Sequence, residues 1–172
     1  MEESLRDRRI KRDMWYLTQA QLHSLPSKDP STKCGCIIVH PDHGIVAGGW
    51  NKFPKGMRPV KELLDNRDEK YSRTIHSEMM ALNNAGHDAR GSVMYSWPFL
   101  PCDRCAVHVV EAGIKLVVTV ETAPEILERW SESYERAKKY FSETRVKVRI
   151  YERETYAAAR DQLLEALGRN SG

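Results

Sequence analysis

The sequence predicts an α/β domain built on a five-stranded mixed sheet, and three observations lead to this prediction. Two apolar runs separated by a short turn form a β-hairpin pattern around residues 41–44. After the hairpin, stretches with helical periodicity alternate with short strand-like runs, which is the pattern of an α/β protein. The chain has 172 residues, enough to bury one core, so we expect a single domain over residues 1–172.

The first part of the chain predicts one helix and the hairpin. Residues 5–25 mix charges with apolar residues three to five positions apart, which favours a helix with one apolar stripe. Prolines end this pattern before the two apolar runs, residues 34–40 and 45–50, which predict the hairpin strands. Residues 51–73 are polar and predict one short helix at 60–64. A connection this long between core elements is usually functional or mobile.

The second part of the chain alternates between helix and strand. The predicted elements, in order, are a helix at 75–85, a strand at 92–97, a helix at 102–112, a strand at 116–120, a helix at 123–143, a strand at 144–152 and a helix at 155–168. Because a helix separates the last two strands, we expect these strands to run parallel through a right-handed crossover.

Composition and charge exclude several classes of protein. No window approaches the ~18 consecutive apolar residues of a membrane span, and the N-terminus lacks a secretory apolar run. We therefore expect a cytoplasmic protein that does not bind a membrane. The 27 basic residues are interspersed with 24 acidic ones, for a net charge of +3. The basic cluster at residues 6–12 is typical of a solvated helix face, so nucleic-acid binding is disfavoured.

Four cysteines occur as two close pairs, which in a chain without an export signal indicates metal binding or burial. Cys34 and Cys36 share one face of a strand and are predicted to belong to the core. His40 and His43 flank the hairpin turn. No set of four potential ligands accompanies them, so the sequence does not predict a structural zinc site there.

The other cysteine pair lies in "PCDRC", residues 101–105, which begins a helix directly after a strand. Cys102 and Cys105 are three positions apart and therefore lie on neighbouring points of one helical turn. The positive end of the helix lowers thiol pKa values and favours the thiolate form that zinc requires.

His76 begins another helix, and Glu78 follows it by two positions in "TIHSEMMAL". A point between the two helix starts can be reached by His76, Cys102 and Cys105, and three protein ligands leave one position open, as in catalytic zinc sites. Glu78 is placed to reach a water molecule at that position and to carry its proton. A lone His-x-Glu or a lone Cys-x-x-Cys would be uninformative; their combination predicts one catalytic zinc ion.

H-x-E followed by P-C-x-x-C is the signature of zinc-dependent nucleobase deaminases. The chain resembles the cytidine and deoxycytidylate deaminase superfamily, and "AGGWNKFPKGM", "RDEKYSRTIHSEMMAL" and "CAVHVVEAGIKLVV" resemble segments of its deoxycytidylate (dCMP) deaminases. This resemblance implies a three-layer cytidine deaminase-like fold, with helices on both faces of the sheet and strands 4 and 5 parallel. It also implies hydrolytic deamination of a free pyrimidine deoxynucleotide, dCMP to dUMP and ammonia.

The resemblance further implies that Asn51 contacts the sugar of the substrate, as the matching asparagine does in the family. Lys52 and Arg73 are expected to bind the substrate as cations of residues 51–73 that suit a phosphate. Ser77, through its backbone, and Trp97, in the segment before Cys102, complete the predicted substrate contacts. An amide that both donates and accepts suits a sugar hydroxyl. Asn51 also fits a second interpretation, a turn-forming residue after the hairpin.

Some positions depart from the family pattern. Lys52 stands where the family usually has glycine, and Arg73 stands where an aromatic residue is common. Phe99 and Leu100 extend the segment before Cys102. We expect the wall of the substrate pocket to differ here.

The family implies partners as well as a substrate. Relatives respond to dCTP and dTTP through the region that corresponds to residues 51–73, and they form dimers or hexamers. A homo-oligomer and regulation by these nucleotides are therefore expected.

Three alternatives stay open: an editing deaminase of tRNA or single-stranded DNA, a deaminase of another base such as a modified cytosine or a guanine-type ring, and a silent module, that is, a zinc-binding regulatory or assembly protein without catalytic activity. The first normally has a basic groove with stacking aromatics, whereas residues 51–73 contain four acidic residues. The carboxylate of Glu78 argues against the silent module, because a structural zinc site has no use for it. Phe99 and Leu100 keep the second alternative open.

Overall fold

A five-stranded mixed sheet, in the spatial order β2-β1-β3-β4-β5, organises the molecule. The computed structural model describes residues 4–169. Its elements are α1 (Leu5–Ser24), β1 (Gly35–His40), β2 (Gly44–Trp50), α2 (Lys61–Asp65), α3 (Arg67–Arg73), α4 (Ser77–Ala85), β3 (Val93–Trp97), α5 (Asp103–Glu111), β4 (Leu116–Val120), α6 (Pro124–Glu143), β5 (Lys147–Tyr151) and α7 (Arg153–Arg169), with a short 3₁₀ helix at Gly86–Ala89.

The pairing of the strands confirms the predicted hairpin and the predicted parallel pair. β1 is antiparallel to both β2 and β3, whereas β4 is parallel to both β3 and β5. The helices α5 and α6 provide the crossovers that parallel neighbours require. The parallel strands β3 and β4 both end near the start of the helix that follows them, so loops at their carboxyl ends meet at one edge of the sheet.

Helices cover both faces of the sheet, which confirms the three-layer fold. On one face α1 and α7 pack over a core that includes Met14, Leu17 and Tyr156. On the other face α4, α5 and α6 pack over a second core that includes Ala81 and Phe141. Within residues 4–169, no helix combines the length and apolar character needed to cross a lipid bilayer.

A buried carboxylate, that of Asp13 of α1, lies between this helix and the sheet. Asp13 is 0% exposed, and it accepts hydrogen bonds from the hydroxyls of Tyr95 at 2.9 Å and Tyr151 at 2.8 Å. The guanidinium of Arg149 also contacts it. These donors replace the water that the carboxylate loses on burial, and they join α1 to strands β3 and β5.

Gly49 of β2 allows α4 to lie directly on the sheet. A Cβ atom at Gly49 would be 2.6 Å from the backbone nitrogen of Ala81 and 2.8 Å from the carbonyl oxygen of Ser77. Any larger residue would therefore displace α4. The position of the first turn of α4 is thus set by backbone contact with β2.

The segment between β2 and α4 differs from its prediction. It holds two short helices, α2 and α3, where one helix at 60–64 was expected. Asn66 separates them, and its side-chain oxygen accepts from the backbone nitrogens of Asp68 and Glu69 as the N-cap of α3. Helix α4 begins at Ser77 and not at residue 75, because Ile75 pairs with Lys52 in an antiparallel bridge.

Candidate active site

Two helix starts bring together one histidine and two cysteines. His76 is the N-cap of α4, Cys102 is the N-cap of α5, and Cys105 lies in the first turn of α5. The Nδ1 atom of His76 is 3.5 Å from the Sγ atom of Cys102 and 3.3 Å from that of Cys105. All three potential ligand atoms lie within 4.8 Å of one another.

This arrangement fits a zinc ion. With Zn–N of about 2.0–2.1 Å and Zn–S of about 2.3 Å, a tetrahedral site places nitrogen and sulfur ligands about 3.6 Å apart. The observed separations of 3.5 Å and 3.3 Å are close to that value. Two thiols and one imidazole are also the donor set of known three-ligand zinc sites, in which the fourth position is open.

The three side chains shift one another's pKa values. Hydrogen bonds from Cys105 and from His76 lower the pKa of Cys102 to about 4, although burial opposes this shift. The hydrogen bond to Cys102 raises the pKa of His76 to about 9, although burial opposes this shift. Hydrogen bonding to Cys102 and burial raise the pKa of Cys105. The hydrogen bonds of its neighbours therefore favour the thiolate form of Cys102.

Glu78 lies beside this group in the first turn of α4. It is 4% exposed, and the hydroxyl of Ser77 donates to its Oε2 atom at 3.2 Å. Burial raises the pKa of Glu78, and the nearby charge of His76 partly opposes the shift. A raised pKa makes the carboxylate a stronger base, which favours the uptake of a proton from water.

The His76 and Glu78 side chains line the floor of a cavity. The cavity opens to solvent at its mouth. The other residues that line the cavity are Asp29, Ser31, Thr32, Cys34, Asn51, Lys70, Tyr71, Thr74, Ser77, Phe99, Cys102, Ile126, Arg129, Trp130 and Tyr134. One wall is polar, and the wall supplied by α6 is largely aromatic.

The polar wall is an ordered network around a buried ion pair. The Nζ atom of Lys70 is 3.1 Å from Asp29 Oδ1 and 2.9 Å from the hydroxyl of Ser31. The side-chain oxygen of Asn51 accepts from the backbone nitrogen of Cys34 at 2.8 Å, and its Nδ2 atom donates to a carbonyl of the same loop, that of Thr32, at 2.9 Å. Asn51 therefore holds this loop in place and also faces the cavity.

Three of the predicted substrate contacts do not line this cavity. Trp97 faces the opposite side of the sheet, where its ring packs 4.8 Å from that of Tyr156. Arg73 forms an ion pair with Glu69 on the outer side of α3. Lys52 lines a neighbouring cleft, and its backbone is paired with Ile75. Asn51 and Ser77 do line the cavity.

The prediction for the first cysteine pair is wrong for one of its members. Cys36 is fully buried in the core, as expected. Cys34 precedes β1, is only partly buried and forms part of the cavity wall. The two thiols do share a face of the strand, and that face carries the site.

Several cavity residues were not among the predicted contacts. Ile126, Arg129, Trp130 and Tyr134 all belong to α6 and were missed. The sequence shows that this helix has an apolar stripe, but tertiary packing decides which face of the sheet the stripe covers. Phe99, one of the unusual residues before Cys102, lines the cavity, whereas Leu100 is buried in the core.

Comparisons with known proteins agree with this geometry. The family model described as "Cytidine and deoxycytidylate deaminase zinc-binding region" matches residues 10–121. An uncharacterised deaminase from the luxG 3′ region of Aliivibrio fischeri is 33% identical over 133 residues, covering 77% of this chain and 88% of that protein. Deoxycytidylate deaminase of Mus musculus is 36% identical over 110 residues, covering 60% of this chain and 61% of the enzyme.

A solved structure supports the fold independently. The dCMP deaminase of cyanophage S-TIM5 superimposes with a TM-score of 0.62 at 22% identity, covering 81% of this chain and 97% of that protein. At this identity the likeness concerns the fold alone. This chain thus spans most of the bacterial and phage relatives and about three fifths of the mouse enzyme.

Proposed function

Because the chain belongs to the cytidine and deoxycytidylate deaminase family, and is a zinc-dependent deaminase, we propose that it converts dCMP and water to dUMP and ammonia. One observation carries the proposal: the histidine and the two cysteines meet beside a buried glutamate on the floor of a cavity that opens to solvent. The mouse relative that is named a deoxycytidylate deaminase supports the choice of nucleotide.

The chain's own ligands for one zinc ion are the Nδ1 atom of His76 and the Sγ atoms of Cys102 and Cys105. When bound, the ion would supply a water molecule whose pKa is lowered from 15.7 to about 7. The side of this group that faces the cavity is where the substrate would meet that water.

Glu78 moves the protons. Its carboxylate accepts a proton from the attacking water and delivers it to N3 of the cytosine ring as the new C4–O bond forms. It then transfers the second proton from the oxygen to the amino group, so that the C4–N bond breaks and ammonia leaves. The carboxylate is regenerated, and one water molecule has been consumed. The raised pKa of Glu78, caused by burial, suits both the uptake and the release of the proton.

The cavity walls divide the binding of the nucleotide between them. Trp130 and Phe99 offer aromatic surface to the base and exclude water. Asn51 faces the sugar, and its Nδ2 atom already donates to Thr32 and Asp29. Its side-chain oxygen accepts from the backbone nitrogen of Cys34 and can accept once more, from a sugar hydroxyl. Arg129 is the cation on the wall that can attract the phosphate, since the charge of Lys70 is already paired with that of Asp29.

A free nucleotide suits this cavity better than a nucleic-acid strand. Binding of a strand relies on many basic side chains along a groove. Here the polar wall contains Asp29 next to Lys70, and the net charge of the chain is only +3. The phosphate of a mononucleotide needs fewer cations, and Arg129 is placed on the cavity wall.

The test is a comparison of substrates with the zinc-loaded protein. Ammonia release is measured with dCMP, CMP, deoxycytidine, dCTP, a guanine-type base and a cytosine-containing oligonucleotide. We expect the highest kcat/KM for dCMP and a clear loss without the phosphate. Activity on the oligonucleotide alone, or on the guanine-type base alone, would overturn the proposal.

A further inference from the structure

Tyr134 of α6 places a free hydroxyl in the cavity. The residue is 2% exposed, and its side chain lines the cavity with Glu78 and Cys102. Every fully buried side-chain nitrogen or oxygen within residues 4–169 has a hydrogen-bond partner. The Tyr134 hydroxyl has none in this part of the chain, so it must be accessible from the cavity. A nearly buried polar group of this kind is costly unless something binds to it.

The position of Tyr134 is fixed by the residue before it. The Ser133 hydroxyl accepts from the backbone nitrogen of Asp103 at 3.1 Å and donates to the Asp103 carboxylate at 2.8 Å. Arg136, one turn along α6, donates to the same carboxylate at 2.7 Å. Asp103 directly follows Cys102, so these bonds hold α6 against the start of α5. The Tyr134 side chain is thereby held at the wall nearest the cysteines.

The ring and the hydroxyl of Tyr134 have different surroundings. The ring packs against Phe99, with a centroid distance of 5.9 Å. Burial, together with the nearby charges of Glu78, Cys34 and Cys102, raises the pKa of Tyr134. The phenol therefore keeps its proton at any physiological pH and is available as a hydrogen-bond donor.

We propose that Tyr134 is a specificity-determining residue whose hydroxyl donates a hydrogen bond to an acceptor on the ring of the substrate. This inference rests on the proposed function, in which the ring is cytosine. Glu78 serves N3 and the amino group, and the acceptor next to N3 on the same edge is the 2-carbonyl oxygen. Tyr134 shares the cavity with Glu78, so the 2-carbonyl oxygen is the group assigned to it.

The experiment compares Tyr134→Phe with a matched control, Tyr140→Phe. Tyr140 lies on the same helix, is half-buried and does not line the cavity. Binding of dUMP is measured by calorimetry, kcat/KM is measured with dCMP, and zinc content and thermal midpoint are recorded for each protein. We expect Tyr134→Phe to weaken dUMP binding and to lower kcat/KM by about tenfold, and Tyr140→Phe to change neither.

A sulfur analogue separates hydrogen bonding from packing. A 2-thio group is a weaker acceptor, so the wild-type protein should prefer dUMP over 2-thio-dUMP by about tenfold. This preference should largely disappear in Tyr134→Phe. The preference of the wild-type protein alone tests the inference even if the variant fails to fold.

The outcomes distinguish the two proposals. Wild-type protein that binds dUMP but releases no ammonia from dCMP overturns the proposed function, while the binding comparison still judges Tyr134. Equal dUMP affinity in wild type and Tyr134→Phe, or no oxo-over-thio preference, overturns the role of Tyr134. Failure of the wild-type protein to bind either nucleotide overturns both.

Discussion

Each face of the sheet buries a carboxylate, and the two carboxylates differ in the number of hydrogen-bond donors around them. Asp13, under α1, receives hydrogen bonds from two tyrosine hydroxyls and an ionic contact from Arg149. Glu78, a residue of α4, receives one side-chain hydrogen bond within residues 4–169, from the hydroxyl of Ser77, and burial raises its pKa. A carboxylate saturated with donors thus stabilises the fold, whereas one that has few donors and faces a cavity can exchange protons.

Removal of the metal should have the largest effect and should act on the Glu78 face alone. Dialysis against a strong chelator is expected to abolish ammonia release, a loss of about 10⁴-fold or more, because no activated water remains for Glu78 to deprotonate. Zinc should restore activity and magnesium should not, since thiolate ligands disfavour magnesium. Full activity of a protein shown by elemental analysis to be free of metal would contradict the assignment.

Replacement of Glu78 by glutamine is the next largest effect. The change keeps size and polarity but removes proton transfer, so kcat should fall by about 10²- to 10⁴-fold. Zinc content and thermal midpoint should stay close to the wild-type values. A Glu78→Gln protein with normal turnover and normal zinc would show that another group carries the proton.

The corresponding change on the other face, Asp13→Asn, should affect stability and not chemistry. It leaves Arg149 and one tyrosine hydroxyl poorly paired, so the free energy of unfolding should drop by about 2–3 kcal/mol. Urea unfolding measures this loss, and kcat of the folded protein should be unchanged. A drop in kcat without a change in stability would break the contrast between the two faces.

Tyr95→Phe should give the smallest effect of the series. It removes one of the donors to Asp13, at 2.9 Å, and leaves Tyr151 and Arg149 in place. We expect a loss of about 1 kcal/mol and a decrease of about 2–4 °C in the thermal midpoint. Differential scanning calorimetry measures it, and an effect as large as that of Asp13→Asn would mean that the donors act as one unit.

The fold was accessible from the sequence because its signals are local. The hairpin follows from two apolar runs around a turn, and the parallel strands follow from the helix between them. Boundaries were less accessible where a long-range contact decides them. Ile75 has helical neighbours in the sequence, but its backbone pairs with Lys52, so α4 begins two residues later.

The site was predictable where short motifs sit at helix starts. His76, Cys102 and Cys105 lie at the starts of α4 and α5, and the topology brings these two helix starts together. The side on which Trp97 points depends on the register of β3, and a strand of five residues with apolar neighbours on both faces does not reveal it. Tyr134 lies 29 residues after Cys105, and its place in the cavity depends on the bonds between Ser133 and Asp103.

The close contact of Gly49 with α4 has a consequence for anyone who wishes to redesign the cavity. Backbone contact sets the position of the cavity floor, because a Cβ atom added at Gly49 would lie 2.6 Å from the backbone nitrogen of Ala81. The structure therefore has no room for a side chain at Gly49. The aromatic wall is made of side chains on a separate helix, α6, where residues such as Trp130 and Tyr134 can be exchanged without moving the floor. Mutant libraries that vary this wall and leave Gly49 untouched should change which base is accepted while the proton-transfer machinery survives.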